Sequence, residues 1–140
     1  MRFLLFVFAL CAAPLAAHEF NVGNVEIIDP YTYPANGPAA AGYMTLINVG
    51  PPDRLMAVAV GGGIKSALYQ TIVQDGVAQR RPVDGIDIDS DDMITLGPGG
   101  LHVLFVGLKD AWQAGDEFPA VLVFEYAGPV HVTFDVEPRP

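Results

Sequence analysis

The chain has 140 residues, a hydrophobic share of 51%, and seven basic against sixteen acidic side chains, for a formal net charge of −9. That balance excludes nucleic acid and anionic membrane surfaces as partners, because both are bound through clustered Lys and Arg. Its one cysteine, Cys11, lies in an apolar N-terminal stretch. The remainder therefore has no disulfide and lacks the thiolate that a blue-copper electron-transfer site requires.

In chain order, the first expected element is a signal peptide over residues 1–17. Arg2 supplies a short positive region, Phe3 to Ala13 an apolar run, and Leu15-Ala16-Ala17 small residues for cleavage. The run is too short for a comfortable membrane span, so no stable membrane insertion is expected after cleavage. Leu10, not a small residue, precedes Cys11, which argues against a lipid-modified cysteine. Cleavage after Ala17 would release a periplasmic domain, residues 18–140, starting at His18 and carrying six basic against sixteen acidic side chains.

That domain reads as all-β. Short β-branched and aromatic runs predict strands at Val25–Ile28, Ala40–Asn48, Met56–Val60, Ser66–Val73, Ala78–Pro82, Met93–Leu96, His102–Gly107, Ala120–Tyr126 and Val130–Val136. Breakers separate them, among them Asn48-Val-Gly-Pro-Pro-Asp53, Gln74-Asp-Gly76 and Gly97-Pro-Gly-Gly100. No segment keeps a helical period, and Lys109 to Gly115 has room for one turn at most. Many short strands at this spacing favour a Greek-key sandwich or barrel in a single domain.

Three histidines are candidates for chemistry. His102 opens the otherwise apolar strand "LHVLFVG", where Leu101, Val103 and Phe105 share one face and His102, Leu104 and Val106 the other. By itself, a histidine at a strand end is more often a hydrogen-bonded structural residue than a ligand. His131 alternates with Val130 and Val132 and reads as structural or exposed. His18, once freed at a new N-terminus, would offer an imidazole and an α-amine that together chelate Cu(II), although a mobile terminus is the commoner fate of such a residue.

The acidic stretch "DGIDIDSDD" begins like a calcium loop at Asp87, but Asp92 and Pro98 hold the positions where that loop needs Gly and Glu. It reads as a solvated loop. No nucleophile motif, zinc-protease motif or phosphate loop is present, so the chain is not expected to be an enzyme.

Taken in order, "AHEF", "AAAGYMTLINVG", "DRLMAV", "GVAQRRPVDGIDI", "PGGLHVLFVGLK" and "GDEFPAVLVFEYAG" resemble the periplasmic copper chaperones called PCu(A)C across nearly all of residues 18–140. The resemblance implies a cupredoxin-like β-barrel and a copper cargo. It also implies a role in delivering copper to the Cu(A) site of cytochrome c oxidase, with components of oxidase assembly as partners. The family holds Cu(I) with two His and two Met, and the matching positions here are Tyr69, Arg80, His102 and Leu104.

Only His102 keeps a coordinating type. A phenol oxygen at Tyr69 is a hard donor, poorly matched to Cu(I), and Leu104 offers Met-like bulk without sulfur. Arg80 puts a permanent positive charge where a cation should sit. Two such charges repel by about 4 kcal/mol at a separation of about 4 Å and an effective dielectric of about 20. The site is therefore expected to be degenerate, with weak or no Cu(I) binding and with His102 left as a hydrogen-bonding residue beside Tyr69.

Met44, Met56 and Met93 read as packing residues, not replacement ligands. Two alternatives stand beside the chaperone: a metal-free binding module that uses the old cleft around Tyr69, Arg80 and His102 for a small anion or a protein, and a Cu(II) protein built on His18.

Overall fold

Alternating side chains and glycine-bearing turns give eleven strands in the computed structural model, which describes residues 18–140. The expected signal peptide lies outside the described residues. The strands are β1 (Glu19–Val22), β2 (Val25–Thr32), β3 (Ala39–Asn48), β4 (Asp53–Val60), β5 (Lys65–Gln74), β6 (Val77–Pro82), β7 (Ile86–Ile88), β8 (Asp92–Leu96), β9 (Leu101–Val106), β10 (Glu117–Phe124) and β11 (Gly128–Val136).

They join in the order β6-β5-β9-β3-β2-β11-β10-β4-β7, with β1 added to β2 and β8 to β3. All pairings are antiparallel except β11 with β2. This is the all-β, cupredoxin-like arrangement. No helix occurs among the described residues, and the segment before β10 makes only a bridge between Ala35 and Trp112.

Two strands escape the sequence pattern. β1 is four residues long and half exposed, too short to show a period. β7 lies inside the acidic stretch, which is therefore not all loop. Ile86 and Ile88 turn into the core while Asp87 faces outward and pairs with Arg54 at 2.6 Å. Asn48, at the end of β3, secures this corner. Its amide donates to the Pro51 and Ile88 carbonyls at 2.8 and 3.1 Å, and its Oδ1 accepts from the Gly50 N–H at 3.0 Å.

β2 runs four residues beyond its expected end because it contains a bulge. The register against β3 shifts between Ile28 and Tyr31, and Asp29 sits at a φ of 52°. An extra residue inverts the side-chain phase of a strand. Val25 and Ile27 point inward before it; Pro30 and Thr32 do so after it, leaving Tyr31 on the outer face. β5 and β6 meet in a two-residue turn, Asp75-Gly76, whose φ values of 52° and 77° suit the tight turns of twisted hairpins. β6 is an edge strand exposed along its whole length.

The core beneath this sheet is aromatic at its centre. Phe105 meets Trp112, Phe118 and Phe134 edge to face, each with ring centroids 5.5 Å apart. Gly42 on β3 makes that packing possible. A Cβ there would lie 2.6 Å from Cε2 of Phe105 and 3.1 Å from Cε1 of Phe134. Gly42→Ala should overpack the core at a cost of about 1–3 kcal/mol. For a domain of this size that lowers the thermal midpoint by several degrees, measured by calorimetry. An unchanged midpoint would mean that β3 and β9 are not held together by this contact.

Candidate functional site

β9 carries the first candidate. Val103 and Phe105 are buried on its core side, and His102 and Leu104 project from its other face. His102 is only 3% exposed, because neighbouring strands cover it. Its Nδ1 lies 2.9 Å from the Gly100 carbonyl. A carbonyl can only accept, so Nδ1 carries the proton and Nε2 presents a lone pair. That Nε2 is buried and has no hydrogen-bond partner. A backbone carbonyl on one ring nitrogen is the device that orients metal-binding histidines, and His102 retains it.

The expected companions fall on the same outer face. Tyr69 is the cross-strand partner of His102, and their rings stack with centroids 6.1 Å apart. This contact is a stack and not a hydrogen bond; the ring's bond goes to Gly100. Leu104 stands opposite Ala67 and Ala41. Arg80 pairs with Thr71, one outward position along β5 from Tyr69.

Arg80 and Leu104 line one open cleft of about 400 Å³, to which Tyr33, Tyr43 and Arg139 also contribute. His102 is not part of its lining. Of the methionines, Met44 is buried on the core side of β3, whereas Met56 and Met93 are exposed on other strands. None of these three lines the cleft. Cu(I) is selected by several soft donors together, and of the four matching positions only His102 offers one.

His18 forms a second candidate away from this cleft. One ligand atom from each of His18, Glu117 and Asp135 lies within 4.8 Å of the other two. His18 Nε2 lies 3.2 Å from Asp135 Oδ2. The geometry is built by β-pairing. Asp135 on β11 stands opposite Glu117 on β10, and the His18 carbonyl accepts from the Asp29 N–H at 2.8 Å.

The electrostatics are those of crowded carboxylates. Burial raises the Asp135 carboxyl above its ordinary value, His18 pulls it down, and Glu117 and Asp29 push it up again. Glu137 is raised too, by burial and then by Asp29 and Asp135. Sequence reasoning singled out His18 but missed Glu117 and Asp135, which are far apart in the chain and carry no motif. His131 is exposed on β11 and belongs to neither group.

The family described as "Putative lipoprotein LpqE-like" matches residues 25–136. The chain belongs to the LpqE-like family. Among its relatives is "Putative lipoprotein Lxx21020" of Leifsonia xyli subsp. xyli, 24% identical over 120 residues, which cover 81% of this chain and 72% of that protein. Two solved structures extend the likeness. "Apo PCuAC domain from PmoF1" has a TM-score of 0.74 and 25% identity, with coverage of 87% of this chain and 100% of that one. "Copper-bound PCuAC domain from PmoF2" has a TM-score of 0.72 and 27% identity, with coverage of 87% and 99%. The PCu(A)C resemblance and the fold it implied are thus both established for this LpqE-like chain.

The substituted positions make a direct test of the cleft chemistry. Combining Tyr69→His, Arg80→Met and Leu104→Met on the outer face around His102 should raise Cu(I) affinity over the native protein by orders of magnitude, read by competition with a Cu(I) chelator. Arg80→Met alone should recover only part of that gain, since removing a repulsion supplies no imidazole. Native protein that already matches the triple variant would show that Cu(I) is held elsewhere.

Proposed function

We propose that this LpqE-like protein is an exported copper-handling member of the family in which the Cu(I) cleft has lapsed and the group around His18 takes the metal as Cu(II). One observation carries the proposal: among the described residues, His18, Glu117 and Asp135 are the group of metal-binding side chains whose ligand atoms converge. An imidazole with two carboxylates is a nitrogen-and-oxygen set that suits Cu(II) far better than Cu(I). The likeness to a copper-bound PCuAC domain supports copper as the cargo. The destination, following the family resemblance, is the Cu(A) site of cytochrome c oxidase, with oxidase assembly components as partners. The role is binding and transfer, not catalysis.

The orientation of His18 favours one arrangement over another. Its Nε2 is turned toward Asp135, so a metal at this nitrogen is completed by the carboxylates, whereas an α-amine chelate would use Nδ1. Export with cleavage after Ala17 would place a free amine beside the ring but is not needed for this geometry. Metal charge would also relieve the carboxylate crowding. A carboxyl whose folded pKa is raised binds more protons in the folded state, so the metal-free protein gains stability as pH falls through that value. Cu(II) reverses this trend, because it requires Asp135 in its ionised form.

Cu(II) titration against a competing chelator tests the assignment. Asp135→Asn and Glu117→Gln should each weaken binding at least about tenfold, in keeping with the loss of a direct ligand. An extra residue placed before His18 should leave affinity largely intact. The reverse pattern, insensitivity to both carboxylates with loss on N-terminal extension, would establish an amine-based brace instead. Without added metal, Glu117→Gln should raise the melting midpoint at neutral pH, since it removes a charge that repels Asp135.

A further inference from the structure

The cleft beside the lapsed Cu(I) site has a charge opposite to that of the chain. Six basic side chains remain in residues 18–140 against sixteen acidic ones, yet two of the six, Arg80 and Arg139, line this cleft and no carboxylate does. Neither guanidinium has a salt-bridge partner among the described residues; the bridges formed there are His18 with Asp135 and Arg54 with Asp87.

Arg139 is held in place without being neutralised. Its Nη2 donates to the Pro34 carbonyl at 3.0 Å, and its guanidinium lies 5.6 Å from the centroid of the Tyr33 ring. Arg80 approaches from the opposite wall, on the exposed β6 edge. The Tyr43 phenol lines the same cleft. Burial raises its pKa, while the fields of Arg80 and Arg139 both act to lower it, so both charges reach the same oxygen. The rest of the lining is mixed: Leu104, Pro34, Ala35 and Ala39 to Ala41 offer an apolar patch, and Thr32 and Asn36 add polar groups.

We propose that this cleft binds a small organic anion carrying two or more carboxylates, gripped between Arg80 and Arg139 with Tyr33 and Tyr43 along its carbon skeleton. Arg presents a planar fork that pairs with carboxylate through two parallel hydrogen bonds. A volume of about 400 Å³ falls in the range of small-molecule sites. The guanidinia, the phenols and the patch of Leu104 and alanines favour a carboxylate attached to carbon over a bare inorganic anion, which would leave that patch unused. The site is independent of copper and lies on different residues from the His18 group.

Isothermal titration of the purified, metal-free protein at fixed ionic strength tests this, with citrate, malonate, acetate and inorganic phosphate as probes. Citrate and malonate should bind, and acetate and phosphate should bind at least about tenfold more weakly. Arg80→Gln and Arg139→Gln should each weaken citrate binding about tenfold or more, the scale of one lost charge-assisted contact. Arg81→Gln, the next residue on β6 and bonded to Gln74, is the control and should leave binding unchanged. Both test residues are outside the core, and an unchanged melting midpoint in each variant verifies folding. Binding no stronger than in matched sodium chloride, or unaffected by loss of either arginine, overturns the proposal. Phosphate equal to citrate overturns the carboxylate class.

Discussion

Phe105 rests on the bare Cα of Gly42, and the arrangement of both candidate sites follows from that contact. With the ring seated on β3 and against Phe134, β9 has one register available: Val103 opposite Gly42, with Val103 and Phe105 turned inward. In a strand, a slip of one residue exchanges the two faces. The same packing that buries Phe105 therefore sends His102 and Leu104 outward, toward Tyr69 on β5. The aromatic core is deeper in the molecule than the site, but it determines what the site can contain.

From His102 a row of outer-face residues crosses the sheet. Tyr69 pairs with His102; Tyr43, adjoining the Gly42–Val103 pair, pairs with Tyr31; Tyr31 pairs with Asp135, and Asp135 with Glu117. One end of this row lies beside Arg80 on the neighbouring edge strand, and the other is anionic. Tyr31, Tyr33 and Tyr43 fill the middle, with ring centroids 5.3 to 5.9 Å apart. Burial, with Tyr33 and Glu137 nearby, pushes the Tyr31 phenol up to about 12, and burial raises Tyr43 as well. Raised in this way, the Tyr31 and Tyr43 phenols stay neutral across the physiological range.

In the PCu(A)C pattern, soft sulfur and imidazole ligands meet around the His102 position. Here that end has a guanidinium and a phenol, while nitrogen and oxygen donors collect at the far end around His18. Change at one end does not require refolding at the other, because the β-pairings between them rest on backbone hydrogen bonds and core packing. His102 keeps the geometry of an oriented ring. Its Nδ1 remains tied to Gly100 and its Nε2 remains buried without a partner. An unsatisfied buried acceptor costs on the order of 1–3 kcal/mol, which a purely structural histidine would be expected to avoid.

How much of this was legible in the sequence depended on whether the signal was local. Alternation and breakers sufficed for the all-β class, for most strands, and for placing His102 and Leu104 on the face opposite Val103 and Phe105, since each depends on residues next to one another. Motif spacing carried the family resemblance and marked Tyr69, Arg80 and Leu104 as substitutions. The bulge at Asp29 was not legible, because inverting the phase of β2 depends on how the strand lies against β3. β7 was hidden among aspartates, its two inward isoleucines too few to show a period. Glu117 and Asp135 meet His18, and Arg139 meets Arg80, only through pairings between segments distant in the chain. The sequence by itself determined which side chains could bind metal or anion, because that is a property of each residue's chemistry. Which of them meet was decided by strand order and register, which a one-dimensional pattern does not contain.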